Sequence, residues 1–317
     1  MHPDYLPMNA AALMDRVFDL YRATFKTQIA FSLIIGIISF VLMTIFGVLL
    51  IFGVGIAIGM AGNYPSDIYI IIAVLLIFLG IAPLYMCWLY ISSSGHILIS
   101  KQAFYGELVD LPFRETLNAF LRVMSAAIAH LLLSAPWFIL LFFIIYAIAG
   151  GTGDLFVLAL MVNMNPVVII LAGLAFTLLY VVYSNLFALS IPVAIFENRL
   201  FFSTVTRSWG LLKGSFWQIL GLRILWALLI YLFSYSAQGL VVAAVGLLAA
   251  LAGQVTDFGY LWFATGPLQF YIYLFVAILV GPMEGIMTAL IYFNQKIKKD
   301  GLDIEISLYR LQRSAGL

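Results

Sequence analysis

Residues 29–61 read IAFSLIIGIISFVLMTIFGVLLIFGVGIAIGMA, a stretch without one charged side chain. A bilayer's hydrocarbon core is about 30 Å thick, and about 20 apolar residues in α-helix cross it. A helix also satisfies its own backbone hydrogen bonds, which lipid cannot do for it. The stretch is therefore predicted to be a membrane-spanning helix. It is too long for the apolar core of a secretory leader and lacks a small-residue cleavage site, so it is read as a first span. Five further runs meet the same length: Ile68 to Ser100, Leu121 to Ile148, Pro166 to Phe196, Phe216 to Ala252 and Leu261 to Phe293. Barrel strands would show segments of about ten residues with alternating polarity. No run here has that form. The predicted fold class is an all-α integral membrane protein with six transmembrane helices, a single polytopic domain over residues 1–317.

Composition agrees. Hydrophobic residues make up 65% of the chain and charged residues 9%, and the mean hydropathy is +1.13. Soluble domains carry about a quarter charged residues. A net charge of +1 gives no reason to expect nucleic acid as a partner. The single cysteine, Cys87, lies in an apolar run and has no second thiol for a disulfide or a metal pair.

The connectors alternate in charge. Arg16, Arg22 and Lys26 precede the first run; Lys101, Arg114 and Arg122 follow the second; Arg199, Arg207 and Lys213 follow the fourth. Lys296, Lys298, Lys299, Arg310 and Arg313 follow the sixth. The other three connectors carry only Asp67, Asp154 and Asp257. By the positive-inside rule this predicts an inner-membrane protein with both termini in the cytoplasm.

Each basic connector also holds an amphipathic stretch ahead of a span. Met14, Val17, Phe18, Tyr21 and Phe25 oppose Asp15, Asp19, Arg22 and Lys26; Phe113, Leu117, Phe120 and Met124 oppose Arg114, Glu115, Asn118 and Arg122. Phe202, Val205, Trp209 and Leu212 oppose Thr206, Arg207 and Lys213. The predicted unit is an interfacial helix followed by a transmembrane hairpin, repeated over about 10–105, 106–200 and 201–300, with a short amphipathic tail at 301–317. A pseudo-threefold arrangement about the membrane normal follows. In this reading the stretches lie in the cytoplasmic interface against anionic headgroups. The competing reading makes them juxtamembrane extensions of the spans.

Three stretches carry a resemblance. They are Asp15, Arg16, Phe18, Leu20, Tyr21, Arg22 and Phe25; Glu197 with Ser203, Arg207, Ser208, Trp209, Leu211, Lys213, Gly214, Phe216 and Trp217; and Tyr292 through Asp303. Together they resemble the glycerophosphoryl diester phosphodiesterase membrane-domain family, which includes stand-alone bacterial membrane proteins. That family has Tyr-Tyr-Asp and arginines where this chain has Tyr292, Phe293, Asn294 and lysines. The resemblance implies a membrane module and no phosphodiesterase activity. The catalytic barrel of fused members is a separate soluble domain of about 200 residues or more, and far fewer residues follow the last run.

No P-loop, H-E-x-x-H or G-x-S-x-G pattern is present. His2, His96 and His130 are widely separated and lack ligand-like spacing, so no metal or cofactor is expected. Buried ionisable groups are the default functional candidates in lipid. Arg223 and Glu284 fall at comparable depth in the fifth and sixth runs and are read as an intramembrane pair, structural or relaying protons or ions. Glu197, Arg207 and Trp209 form a candidate structural motif, with Glu197 bridging to Arg199 or Arg207 or capping the following helix. Gly55 and Gly59, and Gly281 and Gly285, are spaced for close helix approach, within the chain or in a homo-oligomer. Pro83, Pro136, Pro192 and Pro282 are expected to kink spans or free backbone carbonyls.

The functional expectation is a non-enzymatic module that organises membrane lipid or partner proteins through a basic cytoplasmic face. The alternative is a transporter or channel for a small or lipid-like substrate, with a cavity near Arg223, Glu284 and His130. An intramembrane lipid-modifying enzyme is disfavoured, because no clustered acid, base and nucleophile are present.

Overall fold

A computed structural model describes residues 7–60, 82–148, 166–251 and 266–302. Among these residues the regular structure is entirely helical. The helices are α1 (Ala10–Met60), α2 (Ala82–Tyr105), α3 (Phe113–Ile148), α4 (Pro166–Ser184), α5 (Ser190–Phe196), α6 (Phe202–Leu212), α7 (Phe216–Leu251) and α8 (Gly266–Asp300). A 3-10 turn at Asn185–Phe187 separates α4 from α5. Four helical segments among the described residues are long and apolar enough to cross a membrane: Phe113–Trp137, Gly173–Phe196, Phe216–Leu251 and Phe275–Asp300. The connectors holding Asp67, Asp154 and Asp257, together with His2 and the tail from Asp303, lie outside the described residues.

The amphipathic stretches do not share one fate. The first is continuous with the first apolar run in α1, whose 51 residues extend about 76 Å at 1.5 Å per residue. The second is continuous with the third run in α3. Both are helical extensions of the apolar runs they precede. Only the third, α6, is a separate helix, cut from α7 at Gly214, which takes a left-handed φ of 89°. Nothing between Phe25 and Ile29 can make such a break: Lys26, Thr27 and Gln28 all accept helical geometry.

The fourth run is broken where Pro192 predicts trouble. Proline lacks the N–H that would bond the Ala188 carbonyl, and its ring crowds that turn. The helix accordingly stops, passes through the 3-10 turn, and restarts at Ser190, so that Pro192 falls in the first turn of α5, where no N–H is needed. In α3 and α8, Pro136 and Pro282 sit inside continuous helices. In each of these a tyrosine hydroxyl donates to the carbonyl three residues before the proline: Tyr183 to Leu133 and Tyr21 to Leu279, both at 2.5 Å. Helices α2, α5 and α8 all end on a left-handed residue, Gly106, Asn198 and Gly301. Such residues release the last carbonyls to a C-cap.

The chain forms two compact units that do not follow the sequence repeats. Unit 1 comprises 1–36, 96–111 and 214–317, and unit 2 comprises 37–95 and 112–213. In unit 1, α1 buries Leu13, Val17, Leu20, Thr24, Gln28 and Phe31, a stripe at helical spacing. Its N-terminus is capped by Asn9, whose side chain accepts from the Ala12 N–H at 2.8 Å. The Asn294 side chain holds Met8 just ahead of it, accepting from its N–H at 2.8 Å and donating to its carbonyl at 3.0 Å. Phe104 stacks on Phe293 with centroids 4.5 Å apart. Gly285 permits the closest helix approach described: a Cβ there would lie 2.4 Å from the His96 Cβ, whereas one at Gly281 would meet nothing. In unit 2, α3 packs on α5 and α6, and α6 packs on α5 and the 3-10 turn.

Candidate functional site: a helix stitched to a helix break

In unit 2 the chain leaves α5 through Glu197, turns at Asn198 and Phe201, and enters α6. Asn198 has φ of 55°, which asparagine tolerates better than most side chains. Phe201 is a different matter. Its φ of 46° and ψ of −132° belong to a region that glycine populates and that costs other residues about 1–3 kcal/mol. Neighbours hold it there. The Phe201 N–H donates to Ser125 Oγ of α3 at 3.2 Å, and the Leu200 N–H donates to Ser203 Oγ at 3.2 Å.

Glu197 ties the two sides of this turn together. Arg207 Nε donates to both of its carboxylate oxygens, at 2.9 and 3.2 Å, and Arg199 Nε reaches Oε2 at 3.3 Å. The Glu197 side chain is 12% exposed, against 27% for Arg207 and 46% for Arg199. The Arg207 contact is thus the sheltered one, and charge-assisted bonds of this kind are roughly twice as strong as neutral ones.

Ser208 makes the second attachment. Its hydroxyl donates to the Leu186 carbonyl at 2.8 Å and accepts from the Leu189 N–H at 3.2 Å. Both backbone groups belong to the break between α4 and α5. One hydroxyl from α6 therefore satisfies a donor and an acceptor that the broken span leaves over. Thr204 and Ser208 are fully buried, as are Leu211 and Leu212.

The outward face of α6 is the apolar one. Phe202 and Trp209 are 50% and 43% exposed, and Leu200 and Phe201, just before the helix, 48% and 47%. The inward face pairs two small polar residues, Thr204 and Ser208, with Leu211 and Leu212. The start of α3 is arranged likewise, with Thr116, Ala119 and Val123 inside and Leu117 and Leu121 outside. Water alone would not favour exposing these rings and leucines. In lipid, large apolar side chains face the solvent and small ones let helices approach.

The other residues singled out from sequence fall elsewhere. Arg223 is half-buried on α7 and Glu284 exposed on α8, two helices that pack together within unit 1. His96 is buried in unit 1, its Nδ1 2.6 Å from Gln28 Oε1 and its Nε2 3.4 Å from Ser32 Oγ. An amide oxygen has no hydrogen to give, so Nδ1 is the donor in that pair. His130 is buried in unit 2, bonded through Nδ1 to the Tyr90 hydroxyl and stacked on Phe187 at 4.1 Å. Each histidine is thus part of its own unit's packing.

Sequence reasoning singled out Glu197, Arg207 and Trp209 but missed Ser208, Ser125 and the Phe201 conformation. Ser208 stands inside the resembling motif. A single serine at one helical position, however, gives no hint that it faces a break elsewhere in the chain. No protein-family model, no curated protein and no solved structure matches this chain.

Proposed function

We propose that this chain is a non-enzymatic bacterial inner-membrane module that gathers anionic lipid, or proteins attached to it, at a basic cytoplasmic face. Its further terms are six spans in three repeats, both termini in the cytoplasm, and kinship with the glycerophosphoryl diester phosphodiesterase membrane-domain family. Support for the repeats comes from the matching left-handed ends of α2, α5 and α8. The observation that carries the functional reading is α6, which exposes Phe202 and Trp209 beside exposed Arg199 and Lys213 while Thr204 and Ser208 hold its inner face. Aromatic rings with flanking cations suit the headgroup region of a bilayer. The transport alternative receives less support, because the backbone groups at the break in the fourth run are occupied by Ser208 rather than turned toward a path.

The test is enrichment of anionic lipid around the reconstituted protein. A fluorescent phosphatidylglycerol should gather about the wild type in mixed phosphatidylcholine bilayers. Combined Arg22→Gln, Arg114→Gln and Lys213→Gln should weaken that enrichment by up to about fivefold per charge removed, from about 1 kcal/mol per near-surface cation. Equal enrichment by wild type and variant would overturn the reading.

A further inference from the structure

Three features meet at α6 that anchoring alone does not require. The span beneath it is interrupted at 185–189, and the two backbone groups so released bond to one hydroxyl of α6. The entry to α6 holds an aromatic residue in a strained conformation. And adjacent positions of the helix face different surroundings, Ser208 buried toward the break and Trp209 exposed. A helix that only needed to lie on a membrane could do so over an unbroken span, joined by a relaxed turn.

We infer that α6 is a latch, by which lipid at the outer face of the helix controls the order of the broken span. This rests on the interface reading above and adds to it a coupling between surface and bundle. The physical chain is short. Headgroups that hold Phe202, Trp209 and Lys213 press α6 into place, and Ser208 then keeps the Leu186 carbonyl and the Leu189 N–H paired. When α6 lifts, those groups lose their partner inside a low-dielectric bundle, where an unmade hydrogen bond is costly. The 185–191 segment must then rearrange or open. The strain at Phe201 favours lifting, the Glu197–Arg207 bond opposes it, and lipid contact adds to the side that holds α6 down.

Hydrogen exchange on the whole protein in nanodiscs tests this, read at the amides of 185–191 and of α6 separately. In phosphatidylglycerol-containing discs both segments should exchange slowly, and in pure phosphatidylcholine both should speed up together. Ser208→Ala should accelerate the Leu189 amide about fivefold or more and remove its dependence on lipid, while α6 keeps its own. Ser208→Cys, which preserves size and a weak hydrogen bond, should fall between. Three results overturn the latch: lipid that slows α6 but not 185–191, exchange at Leu189 unchanged by Ser208→Ala, or lipid dependence at 185–191 that survives Ser208→Ala. Lipid that alters neither segment removes the interface reading and the latch with it.

Discussion

The start of α1 and the helix α6 carry nearly the same pattern of rings and basic residues, yet the fold runs one on into a long helix and sets the other apart. In α1 the stretch runs on into an apolar helix and buries Leu13, Val17 and Leu20 against unit 1, an apolar stripe facing protein. In α6 the stretch is cut off at Gly214, and Thr204 and Ser208 are buried beside Leu211 and Leu212; Phe202 and Trp209 are exposed, as Phe18 and Phe25 are in α1. Helical periodicity separates two faces but does not say which one meets the protein. That depends on the solvent. Where lipid surrounds a helix, polar stitches hold the inner face and hydrophobic bulk becomes the exterior. A single left-handed glycine then decides whether the stretch continues a span or stands apart.

If unit 1 is held by close apolar packing and α6 by polar bonds, the two should fail under different substitutions. The largest effect is expected at Gly285. Alanine there forces a Cβ against the His96 Cβ, and overpacking of this kind typically costs about 1–3 kcal/mol. Gly281→Ala, one turn away with open space, should be close to neutral. Thermal unfolding in detergent would read the contrast, and equal losses at the two glycines would refute the close approach.

Next comes Glu197→Gln, which leaves Arg207 without its sheltered carboxylate. A loss of about 2 kcal/mol is expected from charge-assisted bonds, with proteolysis or hydrogen exchange rising in 197–212 and unchanged in α1. A uniform rise across both units would mean that α6 is not separately held. A smaller effect of opposite sign is expected at Phe201→Gly. It should relieve strain and stabilise the turn by up to about 1 kcal/mol, while weakening attachment to vesicles. Destabilisation would show that the ring itself packs into the fold.

The smallest effect concerns the charges of unit 1. If Arg223 and Glu284 pair in lipid, Glu284→Gln and Arg223→Met should be non-additive by about 0.5–1 kcal/mol. Additive losses would remove the pair from the account.

The reach of the sequence follows the same physics. Long uncharged runs specify membrane helices because only one secondary structure satisfies its backbone locally, so the helices α3, α4, α7 and α8 were legible. The span of α6 was legible from Phe202, Val205, Trp209 and Leu212. Its orientation was not, because Thr204 and Ser208, which the fold buries beside Leu211 and Leu212, read as ordinary polar residues. Pro192 announced a disturbance in the fourth run, but a kink and a break look alike in one dimension. The Ser208 bonds to Leu186 and Leu189 cross about twenty positions and depend on packing that no local pattern encodes. The Glu197–Arg207 bond was within reach, since both lie in one short motif that folds back on itself.

The direct measurement is the depth of α6 in a bilayer. Single nitroxide labels at positions 202, 203, 209 and 210, in a Cys87→Ser background, report access to lipid-soluble oxygen and to a water-soluble nickel complex. Oxygen should dominate at 202 and 209 and nickel at 203 and 210, the signature of a helix lying at the boundary with its rings in lipid. Nickel dominating at all four positions would place α6 in water and contradict the account.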